Sequence, residues 1–292
     1  MDRSADVEDQ GPEGLRVVLL GRVPAAVQAL DGFLRGLGHR PVALVTVAAG
    51  AARYGDVGSL DEIVSGLPAG VDTLVASGPD RLAPLIGAHA PDVAVSATVP
   101  MRVPPDALAV PRLGIVNVHP SLLPRHRGPN PIGWTLRNGE PVLGMTLHRM
   151  VDEIDAGPLL AQGSLPIDEH DDEAEIFGMM AALIAQLLPI ALERVARGDA
   201  GDPQDASAAT AAGFFEDAYA YVDWRSPARE IHDQVRAWRF AAIAGVRGPI
   251  ADLDGRRLRL VKTRLDARAG GIRVECGDGP LWVLESEALG AG

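Results

Sequence analysis

The stretch LRVVLLGRVPAAVQALDGFLRGLGHRPVALVTV, residues 15–47, decides the fold class. Its first seven residues form a continuous apolar run that stops at Gly21, the pattern of a strand buried on both faces. From Pro24 to Leu37 the apolar residues recur with helical spacing and give out at Gly38, and residues 42–47 form a second apolar strand. Residues 72–77 and 92–99 repeat the strand pattern, with helical stretches between them. Strands alternating with helices predict an α/β domain, a Rossmann-like, mostly parallel sheet. The turn after the first strand reads GRVPAA and lacks GxGxxG, which argues against an NAD or FAD cradle.

Further along, residues 171–197 predict one long helix, opened by acids and closed by arginines as the helix dipole prefers. One large domain is therefore expected over residues 15–198. Residues 199–213 are small, polar and aperiodic, and predict a linker. Residues 214–292 predict a smaller barrel-like (OB-like) C-terminal domain. It would hold a helix over 226–240, with Ser226 at the cap, and hairpins turning at Asp254-Gly255 and at Gly277-Asp278-Gly279. The acidic residues 1–14 lack an apolar core and predict a disordered tail rather than a signal peptide.

Composition removes several chemistries. One cysteine, Cys276, leaves no internal disulfide and no Cys-rich zinc site, so no metal is expected and the chain suits a reducing cytoplasm. Lys262 is the only lysine, and neither a phosphate-loop motif nor a GxSxG elbow is present. No apolar run approaches a bilayer span, so a soluble protein with no membrane contact is expected. The net charge of −12 is uneven: residues 206–292 hold 12 basic and 12 acidic residues, so the surplus lies in residues 1–205. An acidic large domain is a poor surface for nucleic acid.

The chemistry is concentrated in residues 111–162. IVNVH is a strand on which Asn117 and His119 are two apart and share one face, at the carboxyl end where open α/β sheets bind ligands. Asp155 follows 36 residues after His119, in the loop VDEIDAG. A carboxylate beside an imidazole orients it and raises its pKa. Taken alone, an N-x-H pair on a strand is more often structural, and a loop acid is more often a turn former. His148 alternates with the inward residues of its strand and Trp134 reads as core.

The loop between these residues changes the reading. HPSLLPRHRG, then W..RNGE, then G.TLH.M....DAG..LAQ resembles a run shared by the folate-dependent formyltransferases. These include methionyl-tRNA formyltransferase, glycinamide ribonucleotide transformylase and the aminoarabinose-nucleotide formyltransferase. The likeness covers roughly residues 15–200 and is weaker beyond 206. It implies that 10-formyltetrahydrofolate donates a formyl group to an amine. By the same likeness Asn117 and His119 would be catalytic, with Asp155 keeping His119 protonated near neutrality. Met101, Arg102 and Val103 would be a strand pairing with the pterin edge. Ser121, Leu122, Leu123 and Pro124 would line the channel, and Val151, Asp152, Glu153 and Ile154 would close its other side. Pro129 stands where the sugar-nucleotide member has an arginine. Arg125, Arg127 and Asn130 are candidates for holding the acceptor, although arginines after a proline turn also pair locally.

The tRNA-directed members carry a basic, glycine-rich loop after the second strand. Residues 47–62 here hold one basic residue, Arg53, and three acidic ones. The expected acceptor is therefore a small-molecule amine: an amino sugar nucleotide, an amino acid or hydroxyornithine, or a natural-product intermediate. Initiator tRNA is the alternative, supported by the arginines of residues 256–264. A formyltetrahydrofolate hydrolase is the alternative of another class.

Overall fold

The computed structural model describes residues 14–47, 60–67, 70–241, 247–267 and 270–289. The expected tail, except for residue 14, and most of the 47–62 stretch lie outside the described residues.

Seven strands form one sheet in the order β3-β2-β1-β4-β5-β6-β7. They are β1 (Arg16–Gly21), β2 (Arg40–Val47), β3 (Asp72–Ala76), β4 (Val93–Ala97), β5 (Ile115–His119), β6 (Val142–Arg149) and β7 (Leu159–Pro166). The first five run parallel, and β6 and β7 are antiparallel to their neighbours. The apolar runs at β1 and β4 are buried because helices cover both faces. Val17 and Leu19 face α1 (Pro24–Gly36) and α6 (Glu173–Ala196), through Leu30, Leu34, Leu187 and Leu188. Val18 and Leu20 face Leu82 and Ile86 of α3 (Leu82–Gly87) and Ala107 of α4 (Pro105–Leu108). Strand order reverses between β1 and β4, which opens a crevice at the carboxyl ends of the strands.

Helix α6 starts on a capping box. The Asp172 carboxylate accepts from the amides of Ala174 and Glu175, and Glu175 accepts from the Asp172 amide. By length and composition this helix is apolar enough to cross a bilayer, contrary to the expectation that no segment is. Leu183, Leu187, Leu188, Leu192 and Val195 instead pack on the sheet, as a core helix does.

The C-terminal domain has α7 (Ala228–Arg239) packed on an antiparallel sheet of order β10-β11-β9-β8. Its strands are β8 (Ile250–Leu253), β9 (Arg256–Arg264), β10 (Ile272–Glu275) and β11 (Pro280–Ala288). Both expected hairpin turns are present, with Asp254 and Gly255 at φ 50° and 73°. The expected Ser226 cap is not. Pro227 occupies the cap position, and Asp278, from the second turn, accepts from the Ala228 amide at 2.7 Å. A proline has no side-chain acceptor, so the cap comes from elsewhere in the fold. Residues 101–103 are also not a strand but irregular chain between β4 and α4.

The domains meet where α7 packs on α5 (Pro131–Arg137). Arg137 binds Glu216 and lies 3.9 Å from the Tyr219 ring centroid. His232 bridges the Glu169 carbonyl (2.7 Å) and the Thr263 hydroxyl (2.9 Å). Burial lowers the His232 imidazole to about 4 and raises the adjacent Asp233 carboxyl to about 6. A base depressed in the folded state loses stability as pH falls from 6.5 towards 4, whereas an acid raised in the folded state gains it over nearly the same window. The two trends oppose each other, each worth about 3 kcal/mol. Urea titrations at pH 6.5 and 4.5 are expected to show Asp233→Asn losing stability on acidification relative to the parent protein, and His232→Asn gaining it.

Candidate active site

The β5–β6 register places Asn117 opposite His148 and His119 opposite Thr146. Asp155 reaches the same place from the loop after β6, with φ 53°. The structure therefore brings Asn117, His119 and Asp155 together and adds His148, whose place on its strand reads as structural from sequence alone. His119 Nδ1 lies 3.6 Å from Asp155 Oδ2, His148 Nε2 lies 3.5 Å from Oδ1, and Asn117 Nδ2 lies 3.5 Å from Oδ1. A usable signal was present in the sequence: in an antiparallel pair, a polar residue opposite Asn117 must share its face.

Hydrogen-bond chemistry fixes the rings. The His126 carbonyl, 2.8 Å from His119 Nε2, can only accept, so Nε2 carries a proton and the Nδ1 edge is left facing Asp155. The Arg149 carbonyl likewise accepts a hydrogen bond from His148 Nδ1 at 3.0 Å. His148 Nε2 lies 3.1 Å from the Asn117 amide nitrogen, within hydrogen-bond reach.

Burial pushes the His119 imidazole below its ordinary value, more than Asp155 lifts it. This corrects the expectation of a protonated His119: the ring is almost fully enclosed, and losing water penalises its charged form. Burial opposes ionisation of Asp155 as well. There it is outweighed by the His148 and His119 edges and by the Gly128 amide at 2.8 Å, and the carboxyl lies below its usual range. Asp155 is thus shifted towards its carboxylate form and His119 towards its neutral form.

Backbone packing positions the surrounding loops. The Thr146 hydroxyl donates to the Ser121 carbonyl and accepts from the Leu123 amide, while Gln162 donates to the Leu123 carbonyl. Gly144 permits this docking, because a Cβ there would lie 2.5 Å from the Leu122 nitrogen. Ser121 and Leu123 are consequently buried, and of the four expected channel residues Leu122 and Pro124 keep partial exposure. Arg102 binds Asp152 through its carboxylate (2.5 Å) and carbonyl (3.1 Å), tying the Met101–Val103 segment to the loop of residues 151–155. Val103 is buried, whereas Val151 and Ile154 stay 40% and 58% exposed. The candidate acceptor ligands are locally engaged: Arg125 pairs with Glu140, Arg127 with Glu153 and Gln204, and Asn130 is buried at the start of α5.

Comparison with known proteins agrees with this geometry. A formyl transferase family model matches residues 75–192, and a formyl transferase C-terminal domain model matches residues 216–290. A methionyl-tRNA formyltransferase of Pelobacter propionicus is 36% identical over 213 residues, 69% of this chain and 65% of its own. One from an Anaeromyxobacter species is 34% identical over 290 residues, 91% of this chain and 89% of its own. Among solved structures, HypX from Aquifex aeolicus in complex with tetrahydrofolic acid has a TM-score of 0.67 at 18% identity, covering 94% of this chain and 44% of that one. With both domains matched in order, the chain belongs to the folate-dependent formyltransferase family.

Proposed function

We propose that this enzyme transfers the formyl group of 10-formyltetrahydrofolate to the amine of a small molecule, in a reducing cytoplasm. The groove between residues 101–103 and 151–155 would take the pterin, and Asn117, His119 and Asp155 would act on the formyl carbon. As the amine attacks, the formyl oxygen gains charge that the Asn117 amide can meet, a donor contact worth ~10²–10³ in rate. His119 Nδ1 accepts the proton shed by the attacking nitrogen and returns it to the departing folate nitrogen, so the imidazole ends as it began. Asp155 attracts the transient imidazolium. Its carboxylate thus favours the charged form during the reaction, while burial keeps the ring neutral at rest.

The observation that carries the choice of acceptor is the pairing of Arg257, Arg259 and Arg264 in the C-terminal sheet. Arg257 lies 3.2 Å from Asp252, Arg259 3.0 Å from Glu287 and Arg264 2.8 Å from Asp266. Arg125 and Arg127, near the site, are paired as well. Affinity for nucleic acid comes largely from cations that displace counterions from phosphates, and a guanidinium already neutralised has less to offer. The tRNA reading stays as the second because the sequence relatives described above are methionyl-tRNA formyltransferases.

The assay that separates them supplies 10-formyltetrahydrofolate with either methionyl-tRNA or a panel of amines at 50 and 200 mM salt, followed by mass spectrometry. Formylation of an unphosphorylated amine, nearly independent of salt, is expected. Efficient tRNA formylation that falls steeply with salt and disappears when Arg256, Arg257 and Arg259 become glutamate would overturn the small-molecule reading. Tetrahydrofolate release without any amine would point to hydrolysis.

A further inference from the structure

Residues 199–213 connect the two domains, yet they lie against both catalytic loops. Asp202 exchanges backbone hydrogen bonds with Leu159 at 2.8 Å, and the Ala212 amide donates to the Arg127 carbonyl at 2.7 Å. Between these anchors the Gln204 side chain uses its whole hydrogen-bonding capacity. Nε2 donates to the carbonyls of Asp155 (2.8 Å) and Gly157 (2.7 Å), and Oε1 accepts from Arg127 Nε (3.1 Å) and Nη2 (2.8 Å). Six residues on, the Thr210 hydroxyl accepts from the His126 amide at 2.9 Å, and the Thr210 carbonyl accepts from the Arg127 amide at 2.8 Å.

The two residues held in this way are the ones that need holding. Asp155 (φ 53°) and His126 (φ 58°) both adopt the left-handed backbone region, which is unfavourable for a non-glycine residue and persists where its surroundings over-determine it. Asp155 carries the carboxylate that faces His119, and His126 carries the carbonyl that fixes the His119 proton on Nε2. Gly128 lets the connection lie this close, since a Cβ there would meet the Ala212 carbonyl oxygen at 3.0 Å.

We propose that Gln204 and Thr210 are positioning residues for catalysis: from the interdomain connection they hold Asp155 and the His126 carbonyl against His119. The kinetic part of this inference rests on the formyl-transfer reading, whereas the effect on His119 does not.

The test compares Gln204→Leu, Gln204→Glu, Thr210→Val and Thr210→Ser by steady-state kinetics and by NMR titration of His119. A misplacement of about 1 Å costs up to ~10²-fold in rate, so Gln204→Leu is expected to lower kcat by ~10–100-fold, with KM for the formyl donor within about threefold of the parent. As Asp155 drifts from His119, the imidazole should titrate at lower pH, a change that loss of a mere connector contact would not produce. Gln204→Glu should fail equally, because a carboxylate can satisfy Arg127 but donates nothing to the two carbonyls. Thr210→Val should be slowed, and Thr210→Ser, which keeps the hydroxyl, should restore the rate. A folded Gln204→Leu protein with unchanged kcat and unchanged His119 titration overturns the proposal. Should Gln204→Leu fail to fold, equal activity of Thr210→Val and Thr210→Ser overturns it instead. A parent enzyme that formylates nothing would defeat the formyl-transfer reading and leave the His119 titration to decide this one.

Discussion

His119→Ala is expected to reduce kcat by ~10³-fold while leaving the formyl donor bound within a few-fold of its normal affinity. The ring would act as the proton carrier between attacking and leaving nitrogens, and such groups supply ~10²–10⁴. Truncation also removes the donor to the His126 carbonyl, so about 1–3 kcal/mol of stability should be lost with it. The two effects must be measured separately: urea unfolding for the fraction folded, and single-turnover transfer for the folded fraction alone. Asn117→Ala should behave alike, with ~10²–10³ lost from oxyanion stabilisation. A loss of turnover that merely tracked unfolding in both variants would return the pair to a structural role.

Asp155→Asn should slow turnover by a comparable factor and move a titration in a defined direction. In the parent protein the carboxylate raises the His119 pKa against the larger effect of burial. Without it the His126 carbonyl is the one raising contact left against burial and the neighbouring rings, so the imidazole should titrate lower still. Because the neutral ring is the proton acceptor, the acid limb of kcat/KM should shift to lower pH even as its plateau drops. Stability responds with the opposite sign. The Asp155 carboxyl is depressed in the folded protein, so its contribution is present above the ordinary carboxylate pKa and is lost as pH falls through the folded value. The variant should therefore lose less stability below pH 4 than the parent. An acid limb that stays in place, with an unaltered His119 NMR titration, would remove Asp155 from its assigned role.

Much of this arrangement was legible in sequence because it follows from local rules. Buried parallel strands write themselves as apolar runs, as at residues 16–21 and 93–97, and a strand's two-residue period puts Asn117 and His119 on one face without further information. What escaped was set by partners distant in the chain. His148 joins the site through its register with Asn117, and the cap on α7 comes from Asp278, fifty residues away. The protonation of His119 depends on enclosure, which no local pattern encodes. Residues 199–213 have the composition of a flexible spacer, yet Gln204, Thr210 and Ala212 find partners only once the catalytic loops have folded beneath them.

That last segment also determines where the protein can be divided. Composition suggests a seam after Gly198, with a self-sufficient catalytic half before it. By its bonds, however, the segment belongs to that half up to Gly213, whose carbonyl accepts from the Trp134 indole. A chimera that exchanges the C-terminal domain should therefore keep residues 199–213 with the preceding half and make its junction after Gly213. Cut at the earlier point, the exchange would replace the contacts to Asp155 and His126 together with the domain, and a failed graft would be mistaken for an incompatible domain.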